Sequence, residues 1–527
     1  MHLTTFILVL LSCLLLQACD LAEEQNDQTL IRVEQGMLKG YVLPHNQVVS
    51  FKGVPYAAAP VNNKRWQAPQ APEQWKGVKV ADDFAHKCMQ NPMFKDMQFR
   101  ASGMSEDCLF LNVWTPLERE QELLPVLVYF YGGGFVTGDG SEKRYDGGSM
   151  ASKGVVTVTV NYRLGLFGFL AHPELSAESA YGGSGNYGLL DQQAALIWLV
   201  QNIAAFGGDP KRMTIAGESA GSMSVSAQML APDSIPHIAG AIAESGSVMG
   251  RITSLDEAEQ RGLQMAQDLN QDGSSSIEAL RSLSADALLA QATKAGFVWF
   301  RPTIDGKILK DLPDTLIKNK KFADVPLLAG VNSQEGSYQQ LLGELEPTVE
   351  NYTQAVQSIY PENYAKVVEL YPATNPEQVK LAAQALMSDR FISASTWNFV
   401  DKVTSHGSAA TYYYLYDHVR PPIKAEFNEG KEEQNSALGA VHSAEIEYAL
   451  GNLSLNDIYH WTELDYQVAE IMQSYFVNFI KTGKPNGDNL ITWPIFSSEQ
   501  QLIIKQQPEV QSVAPLKLRY EGMSAIQ

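Results

Sequence analysis

The stretch Met213-Thr214-Ile215-Ala216-Gly217-Glu218-Ser219-Ala220-Gly221 decides how this chain is read. A short apolar run, residues 213–216, ends on a glycine, and small residues and helix formers follow over 219–230. That pattern predicts a buried strand turning sharply into a helix. Gly217 and Gly221 matter because such a turn leaves no room for side chains two positions either side of Ser219. The turn would present the Ser219 hydroxyl at a helix N-terminus, where backbone N–H groups favour developing negative charge. Taken alone, G-x-S-x-G is weak, since chance supplies about 0.2 matches in a chain of this length and glycine content. The strand-turn-helix setting is what gives it weight.

Outward from that turn, strand-like and helix-like segments alternate. Residues 125–131 (PVLVYFY) and 155–161 (VVTVTVN) are rich in β-branched and aromatic residues and read as strands. Residues 189–205 carry apolar side chains at helical spacing, notably Leu196, Leu199, Val200 and Ile203. Further buried strands are expected over 239–243, 325–331 and 409–416. The alternation implies an α/β fold with a largely parallel central sheet flanked by helices. The more polar stretch from about residue 254 to 400 reads as helical, a cap above or beside the sheet. Immediately after the 125–131 strand comes Gly132-Gly133-Gly134-Phe135, where three glycines let backbone N–H groups approach a substrate oxygen. A tight turn would use the same residues. Beside Ser219, the oxyanion reading is the better one.

The composition is that of a globular protein, 45% hydrophobic and 19% charged over 527 residues, with no repeat or Pro/Gly-rich linker. A formal charge of −20 repels polyanions and argues against nucleic-acid binding. Residues 8–16 form a nearly continuous apolar run, too short to span a bilayer comfortably and ending beside Ala18-Cys19. Leu16-Gln17-Ala18-Cys19 resembles a bacterial lipoprotein signal, in which the cysteine is acylated. Residues 1–7 hold no Lys or Arg, so a cleaved secretory peptide without lipid stays open. The expected organisation is a leader over 1–18, a flexible tether over 19–29, and a single domain over 30–527. Membrane attachment would then come only through an N-terminal lipid, on an exported protein. Cys88 and Cys108 remain to pair with each other or to stand as separate buried thiols. No metal-binding cysteine spacing is present and no cofactor is indicated.

Long segments elsewhere carry a specific resemblance. FKGVPYAAAP (51–60), EDCLFLNVWTP (106–116), NYRLGLFGFL (161–170), GNYGLLDQQAALIWLVQNIAAFGGDP (185–210), ESGS (244–247), RPTIDG (301–306), NSQEGSY (332–338) and VHSAEIEYALG (441–451) are similar to the type-B carboxylesterases. That group of the α/β-hydrolase fold includes cholinesterases and bacterial p-nitrobenzyl esterases. The resemblance implies that Ser219 is the nucleophile, Glu335 the triad acid and His442 the triad base. Gly133, Gly134 and Ala220 would be the oxyanion donors, Cys88 and Cys108 a disulfide, and Ser245 a supporting serine. Phe297, Val298 and Trp299 precede RPTIDG, where the family places part of its acyl pocket; ordinary core packing competes for them. The order Ser, acid, His along the chain is that expected of the fold. From the residues alone, nine histidines compete for the base, and Glu335 reads first as a solvated loop carboxylate.

The expected activity is serine carboxylic-ester hydrolysis of a small-molecule ester, with no cofactor. Amide, carbamate or thioester cleavage would use the same groups. A non-catalytic adhesion member of the fold would typically lack a triad residue, and here all three stand. Cholinesterases carry a tryptophan between their first two disulfide cysteines. This chain has Phe94 and Phe99 there but no Trp or Tyr, so neutral aryl or alkyl esters are expected. Arg163 and Asp191 read as a structural ion pair, and Glu218 as a buried acid able to tune charge beside Ser219.

Overall fold

Residues 124–130 and 156–160 are buried along their whole length, as strands covered on both faces must be. The computed structural model in which they lie describes residues 28–44, 47–119, 122–250, 252–270, 272–427, 437–496 and 500–526. The leader, Cys19 and most of the tether read in the sequence lie outside the described residues.

Among the described residues, eleven strands form one sheet. They are β1 (Tyr41–Leu43), β2 (Val48–Pro55), β3 (Phe110–Pro116), β4 (Leu124–Phe130), β5 (Val156–Val160), β6 (Gly208–Glu218), β7 (Gly240–Glu244), β8 (Leu327–Asn332), β9 (Thr411–Tyr416), β10 (Gln500–Ile504) and β11 (Glu509–Ser512). Their spatial order is β11-β10-β9-β8-β7-β6-β4-β5-β3-β2-β1. Strands β4 to β10 are mutually parallel, and antiparallel strands finish both edges. All the strands expected from the sequence are present, most within one to three residues, while β6 starts at Gly208, five residues before the run read at 213–216. Those not foreseen, such as β2 and β10, lie towards the sheet edges.

The helices α1 (Tyr187–Asn202) and α2 (Ala220–Leu230) pack on the sheet, and Arg163 and Asp191 tie α1 to the end of β5. Both Arg163 Nε and Nη2 reach the Asp191 carboxylate, at 2.8 and 2.7 Å, with both residues buried. This is the structural pair anticipated. The polar stretch after 254 is helical as expected, but β8 interrupts it and splits the cap in two. The helices beyond β8, including α3 (Pro376–Ser388), close around a small core of their own. Tyr352, Val356, Val367, Val379, Leu386 and Met523 fill it. Cys88 and Cys108 form a disulfide that closes a loop against β3. No helix among the described residues is long and apolar enough to cross a membrane.

The parallel strands position the functional groups, because their carboxyl ends open on one side. Gly132–Gly134 follow β4, Ser219 follows β6, Ser245 follows β7 and Glu335 follows β8. At β6 the turn is a single residue: the strand ends at Glu218 and α2 begins at Ala220. Ser219 takes φ 55° and ψ −118°, a backbone that costs about 1–3 kcal/mol and persists only where its surroundings enforce it. A side chain on Gly221 would drive into the Phe130 carbonyl of β4, and one on Gly217 into both Phe130 O and Gly221. The two glycines therefore let α2 start in contact with β4. Gly221→Ala isolates this effect, since helix propensity alone would favour alanine by about 1 kcal/mol. Urea denaturation should instead show a loss of about 1–3 kcal/mol from overpacking. A variant as stable as the parent would refute this account of the turn.

Candidate active site

Ser219 is held from both sides. Its N–H donates to Glu244 O (2.9 Å), which carries the β6–β7 pairing one step beyond the strand. Its carbonyl accepts the N–H of Met223 as the first turn of α2 closes (2.9 Å). Gly132 lies alongside, close enough that a Cβ there would stand 3.3 Å from the Ser219 Cβ. The N–H groups of Gly133, Gly134 and Ala220 have no acceptor among the described residues. Gly133 and Ala220 are buried, and both Gly133 (φ 105°) and Gly134 (φ 65°) need a backbone that L side chains rarely adopt. Unpaired donors grouped at a helix N-terminus make an anion-binding hollow, since buried N–H groups are otherwise nearly always paired.

Glu335 and His442 meet although 107 residues separate them, with His442 Nδ1 2.5 Å from Glu335 Oε2. The other carboxylate oxygen, Oε1, accepts from Ser245 Oγ (2.5 Å) and from Asn332 N–H (2.6 Å). Three donors thus fix the acid. The loop carrying His442 is fastened to the loop carrying Glu335 by the residues just before the acid. Ser333 Oγ accepts from Ala440 N–H (2.9 Å), Gln334 Oε1 accepts from Leu438 and Gly439 N–H, and Gln334 N–H donates to Ala440 O (2.8 Å). Asn332 Nδ2 donates to Val441 O (2.8 Å) and to Glu445 Oε2 (2.5 Å).

The far nitrogen of the ring, Nε2, lies 3.2 Å from Glu218 Oε1. Among the described residues no hydrogen bond joins it to Ser219 Oγ, a contact that in ligand-free enzymes is often long. Burial disfavours the imidazolium, but the carboxylates of Glu218 and Glu335 outweigh it and push the His442 pKa up to about 10. Burial raises the acids behind the site, with Glu218 reaching about 8, Glu445 about 7, and Glu244 moving well up. Burial and mutual repulsion thus disfavour charge on Glu218, Glu244 and Glu445.

The structure thus brings together Ser219, Gly133, Gly134, Ala220, Glu335, His442 and Ser245, all singled out in the sequence. Glu218 is the buried acid expected. The residues 297–299 divide. Trp299 is half exposed and lies against Gly134, where a Cβ would meet its ring at 2.8 Å. Phe297 and Val298 line a cavity of about 20 Å³ shared with Met89, Val136 and Leu166. Sequence reasoning missed Phe391, whose ring stands edge-on to His442 with centroids 5.0 Å apart and half its surface exposed. It projects from a π-helical turn, Asp389–Ser393, between α3 and α4 (Ala394–His406). Nothing in a local sequence pattern marks that wider turn.

Residues 27–521 match the model of the carboxylesterase family. A fumonisin B1 esterase of Sphingopyxis macrogoltabida is 33% identical over 92% of this chain and 88% of its own length. A mouse cholinesterase is 31% identical over 90% and 82%, and a para-nitrobenzyl esterase of Bacillus subtilis (strain 168) 32% over 89% and 93%. With a mostly parallel sheet, a serine at its central turn and a match across nearly its whole length, the chain belongs to the carboxylesterase family, the carboxylic-ester hydrolases of the α/β-hydrolase fold.

Proposed function

We propose that the chain cleaves neutral aryl or alkyl carboxylic esters by two-step acyl transfer from a Ser219–His442–Glu335 triad. The observation that carries this is the convergence of His442 Nδ1 on a triply held Glu335 beside a serine that sits against three unpaired N–H groups. His442 takes the Ser219 proton as Oγ attacks the ester carbonyl, and the oxyanion is received by the N–H groups of Gly133, Gly134 and Ala220. His442 then protonates the leaving alcohol, and water releases the acid by the reverse route. Glu335 holds the tautomer and stabilises the imidazolium.

The preference for neutral esters is supported by the loop between Cys88 and Cys108. Its Phe94 is exposed, and the Phe99 ring already has Lys87 Nζ 5.7 Å from its centroid. A ring so placed is a poor seat for a quaternary ammonium. Trp299, against Gly134, and Phe391, against His442, instead offer exposed apolar surface.

Wild-type protein should label with a fluorophosphonate and Ser219→Ala should not. On a graded panel, p-nitrophenyl esters should be turned over at least tenfold faster than choline esters of the same acyl group; equal rates would end the neutral-ester reading. The pH profile tests the electrostatics. His442 acts as base only when neutral, so activity rises as pH climbs through its pKa. Glu218→Gln removes the largest charge raising that pKa, and the acid limb of kcat/KM should move to lower pH by about 1–2 units. An unmoved or alkaline-shifted limb would contradict the assignment. For location we propose an exported lipoprotein anchored through Cys19. Metabolic palmitate labelling should mark the wild type and not Cys19→Ala, and an unlabelled wild type would leave a protein without that lipid.

A further inference from the structure

The oxyanion loop has no regular secondary structure of its own, so something else must hold its N–H groups in place. Gly133 O accepts from both Val136 N–H (3.1 Å) and Thr137 N–H (3.2 Å). That carbonyl belongs to the same planar trans peptide as the Gly134 N–H, which points the opposite way. Fixing the carbonyl therefore aims the donor. What fixes Thr137 in turn is a side chain from outside the loop. Gln90 Oε1 accepts from Thr137 Oγ1 (2.7 Å) and Gly138 N–H (2.9 Å), while Gln90 Nε2 donates to Gly138 O (2.8 Å) and Cys88 O (3.0 Å).

The amide orientation is not arbitrary. A backbone N–H can only donate and a backbone carbonyl can only accept, so the contacts with Gly138 decide which end of the amide is oxygen. Gln90 and Thr137 are both buried, at 4% and 1% exposure, so water does not compete for these bonds. Gly138 is itself folded back on the start of the loop, at φ 131°, where a Cβ would drive into the Tyr131 ring and stand 2.6 Å from Gly132 O. Gln90 thus grips the residues that brace Gly132–Gly134 from behind. It lies two residues from Cys88, on the loop that the disulfide closes.

We propose that Gln90 is a positioning residue for the oxyanion hole, acting on the Gly134 N–H through Thr137, Gly138 and the Gly133 carbonyl. The role rests on the Ser219 acyl-transfer reading above. It touches no substrate, so its loss should appear in the transition state and not in ground-state binding.

The test compares wild type, Gln90→Ala and Thr137→Val for p-nitrophenyl ester hydrolysis, for inhibition by an aryl trifluoromethyl ketone, and for Tm. The ketone adds Ser219 Oγ to its carbonyl carbon; the serine proton passes to His442 and the hemiketal oxygen carries the negative charge. Gln90→Ala should lower kcat by about 10–100-fold with KM within twofold. Its affinity for the ketone should fall by a similar factor. Thr137→Val, which loses one of the two donors to Oε1, should move both readouts the same way by less. Should Gln90→Ala not fold, Gln90→Glu carries the same test. It is isosteric, keeps both acceptor contacts, and sets a carboxylate against the Gly138 and Cys88 carbonyls. A folded Gln90 variant that binds the ketone as tightly as wild type overturns the positioning role alone. A wild type that does not bind the ketone overturns the Ser219 reading beneath it.

Discussion

The close approach of β4 to α2 is the constraint on which the site depends. Phe130 O stands where side chains on Gly217 and Gly221 would be, so the helix can begin one residue after β6 ends. Had either position carried a side chain, the helix would be pushed away from the sheet and Ser219 would relax from φ 55°. The same contact puts Gly132 beside Ser219, because Gly132 is only two residues beyond Phe130. One steric fact thus sets both the strained serine and its distance from the glycine loop after β4. The strain persists because it is enforced by sheet backbone, which cannot give way as a flexible side chain can.

A second constraint is charge. Glu218, Glu335 and Glu445 are buried about the His442 imidazole, with Glu244 buried behind them, in a chain that already carries a formal charge of −20. Burial pushes Glu218, Glu244 and Glu445 towards the protonated form. Glu335 differs from the others in its partners: a hydroxyl, a backbone N–H and the ring nitrogen of His442 all converge on it. Glu244 has one weak partner, Tyr129 OH at 3.3 Å, and its other oxygen is unpaired among the described residues. The number of donors offered to each carboxyl therefore decides which one is held firmly against the His442 ring.

Much of this was legible in the sequence, and the reason is locality. The serine turn, the glycine loop after β4 and the parallel strands are each encoded within a dozen residues, by periodicity and by glycines where backbones meet. Strands next to the edges, such as β2 and β10, were harder to foresee, because Ser50 and Lys52 in one and Gln500 and Gln501 in the other leave no long unbroken apolar run. His442 and Glu335 could be assigned only through family resemblance, since their meeting depends on 107 residues of intervening fold. Phe391 was invisible for a different reason. Its approach to His442 is created by a π-helical turn, and the sequence Asp389–Ser393 reads as ordinary helix. Residues 297–299 divide because adjacent residues in an irregular segment point different ways: Trp299 towards Gly134, Phe297 and Val298 towards a cavity shared with Met89 and Leu166.

These cases share a physical cause. The groups of the candidate site sit on loops at the carboxyl ends of strands, where backbone ladders have run out and conformations such as those of Ser219, Ser245 and Ser443 are intrinsically unfavourable. Loops of this kind hold one shape only if buried polar side chains supply the hydrogen bonds that a ladder would have supplied. Asn332, Ser333 and Gln334 do so for the segment before His442, and Gln90 for the residues behind Gly132–Gly134. An amide side chain suits the task because it offers both a donor and an acceptor without charge, in an interior already crowded with carboxyls. Precision at Ser219 is thereby distributed: the sheet fixes the serine, while side chains far from it in sequence fix everything the serine works against.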